Sequence, residues 1–169
     1  MTGVDEWAVE VLADPKTAVL DTETTGLYGY ICEIAILTRS VPLLNMLVNP
    51  QVAVEPGARR VHGITNEELA GAPVFADLWP KLESLLTDRR IIIWNADFDI
   101  GVINRELARL GKPAIALTEC AMRRYSDWYW DMPDGRFVRL NGGHRAAEDC
   151  AAVFDRLREM AGVQGDEQS

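Results

Sequence analysis

Three short apolar runs follow one another in the first third of the chain, and helical spacing takes over after them. Thr17-Ala18-Val19-Leu20-Asp21, Cys32-Glu33-Ile34-Ala35-Ile36-Leu37 and the stretch from Leu43 to Val48 have the length and branched content of strands. Thr24-Thr25-Gly26 and Asn49-Pro50 close the first and third. Short links between such runs predict an antiparallel meander. Val74, Phe75, Leu78, Leu82, Leu85 and Leu86 then fall at helical spacing, with Pro80 predicting a kink or a late helix start. Ile91-Ile92-Ile93-Trp94 is a continuous apolar run suited to a central strand covered on both faces. Ile100, Ile103, Leu107 and Leu110 mark the next helix, stopped by Gly111, and Ala114 to Leu117 is expected as a fifth strand. A short helix from about Asp5 to Leu12 opens the chain, and one from about Arg145 to Ala161 ends it at Gly162. The expected class is α/β: one domain over 1–163, a mixed five-stranded sheet with helices on both faces, and a flexible polar tail over 164–169.

Composition narrows the function. A chain of 169 residues that is 48% hydrophobic can bury one core and is not disordered. No apolar run nears the ~18–20 residues of a membrane span, and the acidic start (Met1-Thr2-Gly3-Val4-Asp5-Glu6) is not a secretory signal. Cys32, Cys120 and Cys150 form no Cys-x-x-Cys pair, so a reducing, cytoplasmic setting is expected. A net charge of −9 speaks against a basic surface that grips phosphates.

The acidic residues are not scattered at random. Asp21 and Glu23 stand at i and i+2 where a buried strand emerges, so both carboxylates aim at one spot. Ligands of α/β sheets bind at that edge, and two like charges held there call for a cation. Asp99 follows the 91–94 strand in the first turn of a helix, where capping by Asp97 or Asp99 is the plainer alternative. His144 precedes the last helix and Asp149 lies about a turn inside it, so both can border one cavity. Four carboxylates without cysteine suit two hard divalent ions, Mg²⁺ or Mn²⁺, and two such ions stabilise in-line displacement at phosphorus. A histidine side chain titrates near neutrality and can take a proton from water. Hydrolysis of a phosphodiester is the chemistry these residues imply.

Asp21-Thr22-Glu23-Thr24-Thr25-Gly26-Leu27, Asn95-Ala96-Asp97-Phe98-Asp99 and His144-x-Ala146-x-x-Asp149, in this order, resemble the three motifs of the DEDDh 3′–5′ exonucleases, which include bacterial replicative proofreading subunits and RNase T. Val61-His62-Gly63-Ile64-Thr65 looks like a further recurring segment. The resemblance implies a ribonuclease H-like fold, metal ligands Asp21, Glu23, Asp99 and Asp149, and His144 as general base. It also implies that Thr24 and Leu27 hold the terminal nucleotide, with His62, Asn95 and Phe98 as secondary contacts. Leu27 and Phe98 are open to a reading as core, and His62 to one as a turn brace. Trp94 stands where relatives commonly carry histidine, which should alter packing more than chemistry. The stretch from Arg136 to Gly143 is short, so Asn141-Gly142-Gly143 should make a mobile loop carrying His144.

Tyr125, Trp128, Tyr129 and Trp130 precede a Pro133-Asp134-Gly135 turn and are readable either as a base-stacking platform or as packing for their own loop. Arg123, Arg124, Arg136, Arg139 and Arg145 gather in this part of the chain, with Arg59 and Arg60 near His62, and suggest a phosphate-facing surface. The expected function is metal-dependent 3′–5′ exonuclease activity on single-stranded DNA ends. The alternatives are an exoribonuclease acting on RNA or short oligonucleotides, and a non-catalytic nucleic-acid-binding module. The chain ends soon after its last helix, so a freestanding or trans-acting enzyme is expected, with a replication or repair protein as a possible partner.

Overall fold

The computed structural model describes residues 3–116, 119–131 and 137–163. Helix α1 (Gly3–Ala13) leads into β1 (Thr17–Thr24), β2 (Ile31–Leu37) and β3 (Pro42–Leu47), the antiparallel meander expected from the three apolar runs. Two short helices, α2 (Pro56–His62) and α3 (Asn66–Leu69), precede α4 (Phe75–Asp88). Strand β4 (Arg90–Ile93) then pairs in parallel with β1, giving the order β3-β2-β1-β4. Helices α5 (Ala96–Arg109), α6 (Ala121–Trp130) and α7 (Ala146–Met160) complete the chain. Alternation along the strands divides the core in two. Leu20, Ile34, Ile36, Ile91 and Ile93 pack against α4 and α5, whereas Val19, Ala35 and Ile92 pack against α1, α6 and α7. This is a mixed sheet with helices on both faces, the ribonuclease H-like arrangement.

Two details differ from the sequence reading. Among the described residues the sheet has four strands, not five. The expected strand at 114–117 is missing over its described part because the Asn104 side chain takes the backbone of Ile115 at both groups, accepting its N–H at 2.8 Å and donating to its carbonyl at 2.9 Å. Among the described residues one parallel bridge, Ile93 to Cys120, continues the sheet beyond β4. Helix α4 does not start late: it begins at Phe75 and runs through Pro80, which sits on its exposed side. The carbonyl that Pro80 cannot pair belongs to Ala76, itself exposed, so water can satisfy it. Gly111 and Gly162 stand in the left-handed conformation just past α5 and α7, as their place after the last apolar residue predicts. The expected tail at 164–169 and the Pro133-Asp134-Gly135 turn lie outside the described residues.

Candidate active site

The site forms where β1 outruns its neighbour. Strand β4 pairs with β1 only as far as Leu20, so the backbone beyond has no strand partner on that side. The Asp99 carboxylate takes that place, accepting the Thr22 amide at 3.0 Å and the Thr22 hydroxyl at 2.7 Å through Oδ1. Thr22 shares the α5 face with Leu20, which explains why it meets Asp99. Asp21 and Glu23 share the α7 face with Val19, and Asp149 on α7 meets them there. One carboxylate oxygen from each of Asp21, Glu23 and Asp149 lies within 4.8 Å of the other two. Helix α7 can come this close because its inner face is small: Ala146 and Cys150 are fully buried, and the Cys150 thiol donates to the Val19 carbonyl at 3.4 Å.

Asp21, Glu23, Asp99, Asp149 and His144 line one cleft of about 200 Å³. Trp94, Asn95 and Phe98 form a second wall, and Arg139 and Leu140 a third. The Trp94 indole N–H donates to the Val138 carbonyl at 3.0 Å, pinning the 137–140 segment beside the end of β4. Trp94 thus contributes mainly packing, although it also touches the cleft. His144 has φ +58, a left-handed conformation that is uncommon for a residue with a side chain. Its backbone N–H donates to Asp149 Oδ1 at 3.3 Å.

The expected substrate contacts are placed less uniformly. Asn95 and Phe98 line the cleft, and Leu27 is 66% exposed at the tip of a tight turn closed by the Gly29 amide on the Gly26 carbonyl. Thr24 is buried, with its hydroxyl donating to the Gly26 carbonyl at 2.9 Å. His62 is buried and does not line the cleft. Its Nδ1 accepts the Ile64 amide, which leaves Nε2 to donate to the Thr24 carbonyl at 3.1 Å, so the ring braces the backbone behind the site. Asp97 does not cap α5; it is exposed and paired with Arg123. Arg59, Arg60, Arg123, Arg124 and Arg139 are exposed, but three arginines of the expected set, Arg123, Arg124 and Arg145, meet partners within the chain. Arg124 lies over the Trp7 ring, Arg145 is bound to Glu33, and Arg139 reaches the cleft. Arg136 lies outside the described residues. Tyr125 is buried, tilted against Trp94 and Trp128 and stacked on Tyr129, which favours the packing reading for that ring, while Tyr129 and Trp130 keep exposed surface.

Electrostatics shows what the carboxylates need. Burial, then the charges of Asp99, Asp149 and Glu23, hold Asp21 well above the ordinary carboxylate range. Glu23 is pushed up to about 8 by burial, Asp149 and Glu33. Burial raises Asp99 as well, although both hydrogen bonds from Thr22 pull it down, and burial raises Asp149. Groups that repel one another in a partly dry cleft are relieved by a cation between them. The donors are all oxygens, the set that hard divalent ions prefer. Two oxygens on one Mg²⁺ at ~2.1 Å stand at most ~4.2 Å apart, so small side-chain motions would bring this trio onto an ion. The residues fit a divalent metal site.

The motifs did not single out three contributors. Thr22 seats Asp99, and Glu33 and Arg145 join β2 to the start of α7. For Glu33 the signal was an acid inside an otherwise apolar strand.

The exonuclease family described as RNase T matches residues 18–156. The DNA polymerase III subunit epsilon of Rickettsia felis is 36% identical over 170 residues, covering 87% of this chain and 74% of that protein. The chain spans about half to three-quarters of the length of the curated relatives first matched. Among solved structures, Exonuclease X in complex with 5′ overhanging duplex DNA aligns over 89% of this chain and 96% of that one, with a TM-score of 0.59 and 23% identity. The nuclease domain of 3′hExo, a DEDDh family member bound to rAMP, aligns over 90% and 96%, with a TM-score of 0.68 and 11% identity. With Asp21, Glu23, Asp99, Asp149 and His144 lining one cleft and the exonuclease family matched over most of its length, the chain belongs to the DEDDh-type 3′–5′ exonucleases.

Proposed function

We propose that this chain hydrolyses phosphodiester bonds from the 3′ end of single-stranded DNA and releases nucleoside 5′-monophosphates. The observation that carries the reading is the convergence of Asp21, Glu23 and Asp149 within 4.8 Å at the end of β1, with Asp99 and His144 lining the same cleft. The four carboxylates would hold two Mg²⁺ or Mn²⁺ ions, which when bound stabilise charge on the attacking and leaving oxygens. His144 accepts the proton of the attacking water as its oxygen bonds to phosphorus. The bond from phosphorus to the 3′ oxygen breaks, and that oxygen takes a proton from solvent to leave a 3′ hydroxyl on the shortened strand. Asn95 and Phe98 border the terminal nucleotide from the start of α5, Asn95 just before the helix and Phe98 in its first turn, and exposed Leu27 flanks its base. Thr24 shapes that rim through its hydroxyl bond to Gly26, and His62 supports Thr24 from behind.

The preference for DNA rests on the relatives being named as DNA polymerase subunits. By the same likeness a replication or repair protein is the class of partner expected. End-labelled single-stranded DNA, RNA and duplex DNA, each with Mg²⁺, Mn²⁺ or EDTA, test the reading together. Shortening of DNA from its 3′ end, lost in EDTA, is the expected result. Faster digestion of RNA transfers the reading to an exoribonuclease, and binding without turnover on any substrate overturns catalysis.

A further inference from the structure

Glu33 is the one charged residue in β2, and it is 4% exposed. It stands directly across the ladder from Glu23, yet its carboxylate is not one of the three that converge for a cation. It is spent on the start of α7 instead. Arg145 donates to both Glu33 oxygens, with Nε 3.1 Å from each, and the Ala146 amide donates to Oε2 at 2.9 Å. A carboxylate at a helix N-terminus also meets the positive end of the helix dipole.

The residue before this clamp is His144, in the left-handed region. A side chain held there costs on the order of 1 kcal/mol and persists only where its surroundings fix it. Two attachments do so here. The His144 amide is tied to Asp149, and the next two residues are tied to Glu33. We propose that Glu33 and Arg145 are positioning residues for His144, fixing the turn that aims it into the cleft. This rests on the reading of the cleft as a nuclease site with His144 as base. Arg145 has a second effect, since its guanidinium occupies the fifth carboxylate of the region and keeps it from competing for the cation.

Two variants separate the pair from general packing. Glu33→Gln keeps size and an acceptor oxygen for the Ala146 amide but loses the charge. Arg145→Lys keeps the charge but loses the fork. On a labelled single-stranded DNA in Mn²⁺, each should lower kcat by about 10–100-fold with KM little changed, the range for partners that orient site groups. The double variant should be no worse than the poorer single one. An independent readout comes from the chain having only His62 and His144, so their ring proton NMR signals are separable. In metal-free protein the His144 signal should move toward that of an unstructured peptide in both variants, while that of His62 stays. A folded Glu33→Gln and a folded Arg145→Lys with wild-type kcat and an unmoved His144 signal overturn the proposal, as does a loss confined to KM. A wild type inactive on every substrate would overturn the nuclease reading alone, because the NMR shift still decides whether the clamp holds His144.

Discussion

Stripped of divalent cations, the protein should lose stability as the pH rises above neutrality. A carboxyl whose pKa is higher in the fold than in the unfolded chain binds its proton more tightly when folded, so stability falls as pH climbs from the unfolded value through the folded one. For Glu23 that window runs from 4.5 to about 8. His62 works in the opposite sense below its ordinary value of 6.5, because burial lowers it and its protonation on acidification opposes folding. The interval free of histidine titration is therefore about pH 6.5 to 8.5, where Glu23 gives up its proton, His62 is already neutral and Asp99, raised to about 7, adds a smaller loss of the same sign. Integrating one proton with a folded pKa near 8 across that interval gives about 2 kcal/mol, reduced to about 1–2 by the partial solvent contact of Glu23. For a domain of this length that is a fall of roughly 3–8 °C in Tm. Differential scanning calorimetry on chelator-treated protein at the two pH values reads it directly. Mn²⁺ at about 100 times its Kd should return about 2.7 kcal/mol at the higher pH. Glu23→Gln should flatten the slope. A metal-free Tm that holds or rises over the interval, or a slope unchanged by Glu23→Gln, would refute the claim that repulsion and burial at this site strain the metal-free fold.

Asp21→Asn and Asp149→Asn should each abolish nuclease activity yet raise the Tm of the metal-free protein at about pH 8, since each removes one repelling charge; a lower metal-free Tm in both would contradict this. Gly142→Ala should cut kcat by on the order of 10-fold or more while leaving the circular dichroism spectrum intact, because an added Cβ would overlap the Asp149 carboxylate. Arg90→Ala should cost roughly 1–3 kcal/mol in denaturant unfolding with kcat unaltered, as its half-buried guanidinium ties Glu119 at 2.7 Å and Glu10 at 2.9 Å far from the cleft.

The parts of the site visible in the sequence were those a local period exposes. Asp21 and Glu23 share a face because strand side chains alternate, and Asp99 and Asp149 sit near the starts of helices whose apolar stripes are plain. The Glu33–Arg145 clamp was not visible because its partners are 112 residues apart: an acid inside an apolar strand and an arginine in a basic cluster each stand out, but no local spacing pairs them. The fifth strand failed for a related reason. Ala114 to Leu117 has strand composition, but the Asn104 amide claims the Ile115 backbone, and no propensity records a side chain that replaces a ladder. His62 read as a nucleotide contact by its motif, whereas its two ring nitrogens are both spent on the backbone.

The distribution of charge finally bears on how such a chain would hold nucleic acid. An arginine-lined phosphate track was one expectation from the sequence, yet Arg123 is paired with Asp97 and Arg145 with Glu33. Arg139 is the arginine that reaches the cleft among the described residues. A chain of net charge −9 in which Arg123 and Arg145 are already paired with carboxylates gains less from releasing counterions along a duplex than a basic one would. The strongest attraction for a phosphate would instead come from ions seated between Asp21, Glu23 and Asp149, a force confined to a few ångströms by the carboxylates around it. Ions held there would draw in the one phosphodiester that enters the cleft rather than hold a strand along its length.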